Sequence, residues 1–201
     1  FNQIFHKYMP VTDLLLWKRF IGGDEEAYAY IYRQYVDSLY SYASCFINDK
    51  CLVEDCIQDL FIKIYQNRKN LGETDNIKLY LFVALKRQLF NSIRNEVESV
   101  SIEDAGPVFF IEYTVEDRMI EREHDASKNE RILEMLKTLT PHQKEIIYYR
   151  FEEELSYEEI GVLMDMKAQS AQNIIQRALK KLRETFSAED FFLFLLFFTK
   201  L

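Results

Sequence analysis

The sequence predicts an all-α protein made of two small helical domains joined by an acidic linker. Three observations predict it. Gly and Pro number only 5 and 3 in 201 residues, too few for the turns of a β-sandwich. Apolar residues make up 48% of the chain and recur at spacings of three and four, the period of a helix that buries one face. That period fails from about Val97 to Ser127, where acids dominate and Gly106-Pro107 interrupts any helix. The expected bounds are 12–97 for the first domain, 98–127 for the linker, 128–186 for the second domain and 187–201 for an apolar C-terminal tail.

The elements follow in order. Thr12 caps a short helix carrying Leu15, Leu16 and Phe20, which Gly22-Gly23 breaks. Asp24 is an N-cap, and Glu25 and Glu26 occupy the first turn, where the helix dipole favours acids. This Tyr-rich helix is expected to reach about Ile47, before a turn at Asn48-Asp49. A third helix, about Lys50 to Arg68, repeats Val53, Cys56, Ile57, Leu60, Phe61 and Ile64 on one face and shows Glu54, Asp55, Gln58, Asp59 and Lys63 on the other. After a polar loop, 67–76, a fourth helix spans about Ile77 to Glu96. At about 100° per residue, Leu81, Phe82, Leu85, Leu89 and Ile93 share one arc. Arg87, Asn91 and Arg94 fall opposite, with Lys86 at the margin of that stripe. In the second domain Ile132, Leu133, Leu136 and Leu139 form a helical face, Thr140-Pro141 starts the next helix, and Ile146, Ile147 and Phe151 continue the core.

Composition narrows the function. The formal net charge is −8, which taken whole disfavours a nucleic-acid binder. The charges are segregated, however. Glu103, Asp104, Glu112, Glu116, Asp117, Glu121, Glu123 and Asp125 crowd the linker against Arg118 and Arg122. Lys167, Arg177, Lys180, Lys181 and Arg183 form a basic segment with no acid among them, a distribution suited to two macromolecular partners. Cys45, Cys51 and Cys56 are odd in number and fit no zinc spacing, so they are expected to be reduced, helix-packed thiols of a cytoplasmic protein. No Gly-rich phosphate loop, nucleophile elbow or ligand cluster is visible. Neither catalysis, cofactor, metal nor a small-molecule substrate is expected. The apolar run Phe191 to Phe198 is shorter than the ~18 residues that span a bilayer; it is expected to pack on the protein or on a partner.

Leu155 to Arg183 reads as a helix-turn-helix. Ser156 and Glu159 make a capping box. Ile160, Leu163 and Met164 face inward, Gly161 is small where the second helix would pass, and Asp165-Met166-Lys167 forms the turn. On the following helix Ala168, Ala171, Ile174, Ile175, Ala178, Leu179 and Leu182 share one arc. Gln169, Asn173, Gln176, Arg177 and Lys180 occupy the opposite arc. Amides pair with adenine edges and guanidinium with guanine, while lysines suit phosphates. On this pattern alone, a structural helical hairpin and a DNA reader both remain open.

Longer segments resemble a known family. Leu155-Ser-Tyr-Glu-Glu-Ile-Gly161, followed by Arg177-Ala-Leu-Lys-Lys-Leu-Arg183, resembles domain four of extracytoplasmic-function (ECF) sigma factors, and Leu139 to Phe151 resembles its earlier helices. Gly23 to Tyr28 resembles the opening of domain two, Glu54 to Lys63 its polymerase-binding helix, and Tyr80 through Lys86 to Arg94 its promoter-melting helix. The resemblance implies a sigma factor that binds core RNA polymerase and directs promoter-specific initiation. It places Asp55, Gln58 and Asp59 on the polymerase clamp helices. Lys86, Arg87, Asn91 and Arg94 would meet the minus-ten element, and the 67–76 loop would accept a flipped base. Gln169, Asn173, Gln176, Arg177 and Lys180 would read the minus-thirty-five element. An anti-sigma factor, often membrane-anchored in this family, is a further implied partner. The sequence departs from the family in having Tyr80 where a Trp is usual, and Gln172 and Ile174 where basic residues are common. The alternative is a stand-alone helix-turn-helix transcription regulator, which leaves the acidic face of the third helix without a role.

Overall fold

Helix ends in this chain are set by local cap chemistry, and that chemistry lays out the architecture. The computed structural model describes residues 12–97, 108–111 and 126–198. Among them are nine α-helices and no strand. Helix α1 spans Asp13–Ile21, α2 Glu25–Ser44, α3 Lys50–Asn67 and α4 Ile77–Val97. The second group comprises α5 (Ala126–Lys137), α6 (Pro141–Ile147), α7 (Tyr157–Leu163), α8 (Ala168–Thr185) and α9 (Ala188–Phe198). Thr12 Oγ1 accepts from Leu15 N, and Asp24 Oδ1 accepts from Glu26 N and Ala27 N. Such caps satisfy backbone donors that the first turn leaves without partners. Asp49 does the same for α3. Thr140 with Gln143, and Ser156 with Glu159, form reciprocal capping boxes on α6 and α7.

The end of one helix differs from the sequence expectation. Helix α2 ends at Ser44, short of Ile47. Phe46 N and Ile47 N both bond Ala43 O there, tightening the end, while Cys45 and Ile47 stay buried in the loop. The acidic stretch expected as a linker lies mostly outside the described residues. Its described part, 108–111, is held: Phe109 and Ile111 are buried, and Phe110 N donates to Cys45 O at 2.6 Å.

The first core is built from one face each of α1 to α4, with Trp17, Phe20, Leu39, Tyr42, Leu81 and Phe82 fully buried. The loop before α4 is fixed to α1. Trp17 Nε1 donates to Gly72 O at 2.8 Å, and Ile77 N donates to Asp13 Oδ2 at 2.8 Å. The second core gathers Ile132, Leu136, Ile146, Ile147, Ile160 and Leu182. Ile146 to Tyr149 are buried all round, as a helix enclosed on every side must be. A π-helical turn, Tyr148–Glu152, carries α6 into the next loop. The apolar C-terminal run is a helix whose Phe194 and Phe198 are buried, whereas Phe192 and Leu196 remain exposed. No helix among the described residues is long and apolar enough to cross a membrane.

Candidate polymerase and nucleic-acid interfaces

Three polar surfaces are positioned by these cores. On α3 the apolar residues Val53, Cys56, Ile57, Leu60, Phe61 and Ile64 are buried, which turns Asp55, Gln58 and Asp59 outward. All three are exposed, and Asp59 pairs with Lys63 at 3.5 Å across one helical turn. An exposed ion pair of this kind contributes only a few tenths of a kcal/mol, about 0.3–0.5, so these side chains are available to a partner at small cost.

On α4 the same logic applies. Leu81, Phe82, Leu85 and Leu89 are buried, and Arg87 and Asn91 are exposed. The helix continues past Arg94, whose side chain lies outside the described residues. Lys86 behaves differently from its neighbours on the stripe. Its side chain is only 15% exposed, and its ammonium donates to Glu145 Oε1 at 2.7 Å and Leu163 O at 3.0 Å. A residue expected at the minus-ten surface is therefore turned to the second domain in this conformation. Tyr80, at the position where a Trp is usual, packs on Trp17 with ring centroids 4.8 Å apart. The aromatic bulk at this corner is thus supplied from α1.

The helix-turn-helix is α7, a four-residue turn and α8. Met166 N bonds Gly161 O at 2.9 Å to close the turn. Gly161 is required by the turn itself: a Cβ there would lie 2.7 Å from Met166 O. Asp165 adopts φ +51°, a left-handed conformation that Asp tolerates better than most residues. Burial of Ala171, Ile175, Ala178 and Leu182 leaves Gln169, Asn173, Gln176, Arg177 and Lys180 exposed together. Gln169 Nε2 donates to Asn173 Oδ1 at 3.2 Å, and Arg177 Nε to Asn173 O at 3.3 Å. Asn173, Gln176, Arg177 and Lys180 line one shallow groove. These are donors and acceptors at the spacing of one helix face, the arrangement that reads base edges in a major groove.

Sequence reasoning missed the residues that join the two domains. Glu145 and Glu153 are buried acids. Glu153 receives Lys78 Nζ at 2.8 Å, Ser38 Oγ at 2.6 Å and Tyr148 OH at 3.0 Å. Glu145 receives Lys86 and, at 2.9 Å, Tyr149 OH. Because the Tyr149 proton is committed to Glu145, the 2.6 Å contact between Tyr42 and Tyr149 must have Tyr42 as donor. Burial, and then the nearby Glu145 charge, push the Tyr42 phenol well above its ordinary range. For Tyr149 burial is followed by Tyr42 and Glu145. Both phenols therefore keep their protons. Asn76 caps α4 by accepting from Leu79 N, and its amide donates to Glu159 of the α7 capping box. The one signal in the sequence was Ile146 to Tyr149, an apolar run too continuous for a surface helix.

Two segments of the chain match models of one family. Residues 31–98 match sigma-70 region 2 and residues 129–182 match sigma-70 region 4, together more than half of the chain. A protein of Bacillus subtilis (strain 168) named ECF RNA polymerase sigma factor SigM is 21% identical over 159 residues, covering 78% of this chain and 93% of its own length. Bacteriocin UviA of Clostridium perfringens is 28% identical over 172 residues, covering 81% and 92%. A solved structure of an RsbN–BldN complex is 18% identical, with a TM-score of 0.34, covering 85% of this chain and 99% of that one. The chain belongs to the sigma-70 family. It is an alternative sigma factor for promoter-specific transcription, and its partners by family are RNA polymerase and promoter DNA.

Proposed function

We propose that each of the three exposed surfaces has one task in initiation. Asp55, Gln58 and Asp59 dock α3 on the clamp helices of core polymerase. Arg87, Asn91 and Arg94, joined by Lys86, engage the minus-ten element, and the 67–76 loop takes an unstacked base, offsetting part of the cost of melting. Gln169, Asn173, Gln176, Arg177 and Lys180 read the minus-thirty-five element. The domains divide at 12–97 and 128–186, with 98–127 as the linker. The observation that carries this reading is that α3 and α4 share one core, so an acidic and a basic-polar face are presented rigidly by the same small domain.

The chain has no catalytic chemistry of its own in this reading. Core polymerase supplies much of the DNA affinity, which fits a net charge of −8. The factor works in the cytoplasm and is held by an anti-sigma factor anchored in the membrane. Run-off transcription with core polymerase of the same organism, on DNA upstream of the chain's own gene, tests the assignment. Discrete transcripts that need the chain, and that fall at least ~10-fold with Asp55→Ala or Arg87→Ala (about 1.4 kcal/mol or more), support it. Transcripts indifferent to both substitutions sink the residue roles.

A further inference from the structure

We propose that α1 is the positioning element of the 67–76 loop, with Asp13 and Trp17 holding that loop in the shape that receives an unstacked base. The proposal rests on the reading of the loop as the base acceptor. Asp13 and Trp17 are four residues apart, so they share one face of α1. Trp17 Nε1 donates to Gly72 O at 2.8 Å, in the middle of the loop, and Asp13 Oδ2 accepts from Ile77 N at 2.8 Å, at its exit. Each contact has a reason to form. The indole is wholly buried, and a buried indole N–H needs an acceptor. Its plane is set by Phe20 on α1 and Tyr80 on α4, with ring centroids 5.2 Å and 4.8 Å away, which fixes the direction of the N–H. Ile77 opens α4, so its N–H has no acceptor within its own helix. Asp13 supplies one, and sets a carboxylate at the positive end of the helix dipole.

The entrance of the loop is tied to α3, where Arg68 Nη1 donates to Tyr65 O at 2.8 Å. Its middle and exit have α1 instead. The Lys18–Glu73 ion pair at 3.2 Å adds little to this hold, because both side chains are exposed. Lys69, Asn70 and Asp75 are exposed beside the anchors, where a base can reach them. Gly72 is exposed too, so its carbonyl would meet water if the indole N–H were lost. The loss would then fall on the placing of the loop. A loop that samples other placements binds its preferred base with an affinity reduced by the competent fraction. A base that the loop does not hold loses nothing. The α1 anchors thereby set how sharply one promoter position is read.

The test is selection by the holoenzyme, full chain on core polymerase, from a pool of single-stranded DNA with a randomised stretch in place of the minus-ten element. Sequencing the bound fraction gives the base preference at each position. Trp17→Phe keeps an aromatic ring and removes the N–H. It should lower the preference at one position by about 5-fold, the factor to which one hydrogen bond corresponds, and leave the other positions and core binding unchanged. Should Trp17→Phe fail to fold, Asp13→Ala carries the test with the same expected loss, and Asp13→Asn, which keeps an acceptor for Ile77 N, should restore the preference. Unchanged preferences in both folded variants, or an equal loss at every position with core binding intact, overturn the proposal. Lys69→Ala with Asn70→Ala, in the loop itself, separates it from the reading beneath it. A position that responds to this loop pair but not to Trp17→Phe or Asp13→Ala sinks the α1 anchor alone. A preference at every position indifferent to the loop pair sinks the base-acceptor reading, and the anchor's role with it.

Discussion

Two residues in the helix-turn-helix turn carry constraints that a substitution can read. Gly161 has no room for a methyl group, because Met166 O would lie 2.7 Å from it, and that atom belongs to the backbone. Gly161→Ala should therefore lower the unfolding free energy by about 1–3 kcal/mol, the range for forced overpacking, measured by urea denaturation. Asp165 sits at φ +51°. Asp165→Gly should be neutral or stabilising by about 1 kcal/mol, and Asp165→Val destabilising by about 1–2 kcal/mol. Gly161 was legible as a close approach from its place in the motif; that the approach is to the turn, rather than to the crossing helix, was not. Spacing tells which residues meet, but not which backbone atom lies under a missing side chain. Lys86 shows the same limit more sharply. At the margin of the stripe it reads equally as a phosphate contact or as half of an ion pair, and its partner is 59 residues away.

At the scale of elements, the starts of helices were readable because cap chemistry is local. Thr12, Asp24, Thr140 and Ser156 all cap as their sequence neighbourhoods predict. Helix ends were less so: Cys45 to Ile47 are mostly buried and apolar, and no pattern separates a buried loop from a last helical turn. The caps also predict an acid response. Backbone N–H of Ala27, and then the Arg19 side chain, hold Asp24 below its ordinary 3.8. Burial pushes Glu159 up, but Ser156 and Asn76 outweigh it and leave it below 4.5. Depressed folded values mean that this stabilisation is present above the unfolded values and is lost as pH falls through the folded ones. The melting temperature should drop as pH falls below the ordinary 4.5 of Glu159 and 3.8 of Asp24, and Glu159→Gln should flatten that limb. For α8, Lys180→Ala should weaken DNA binding uniformly across sequences and reduce the log–log salt slope by about 1, whereas Gln169→Ala should relax specificity with little change in slope. Fluorescence anisotropy of labelled promoter duplex with the polymerase holoenzyme at several salt concentrations distinguishes the two.

For the whole molecule, two helical segments were visible from periodicity and their order followed from the family resemblance, whereas their mutual packing was not legible. The contacts that set it pair residues 59 to 115 apart in sequence: Lys86 with Glu145, Lys78 with Glu153, Ser38 with Glu153 and Tyr42 with Tyr149. Buried carboxylates are tolerated only when paired and hydrogen-bonded, so Glu145 and Glu153 mark an interface that periodicity reads as ordinary polar positions. Removing one partner should cost more than exchanging both. Glu153→Ala removes the carboxylate shared by Lys78, Ser38 and Tyr148, leaving Lys78 only the backbone carbonyl of residue 153, and should destabilise by about 3 kcal/mol, and Glu153→Ala with Lys78→Met should recover part of it. Calorimetric unfolding of the single and double variants gives the coupling.

Trp17 is the only tryptophan in the chain, wholly buried, with its indole N–H on the carbonyl of Gly72. The chain thus carries an intrinsic optical probe wired to the 67–76 loop. Indole emission is blue in a dry, aromatic setting and moves to the red when water arrives. If an unstacked base draws that loop outward, the Trp17–Gly72 bond must lengthen, and the colour of a single chromophore will time the arrival of the base.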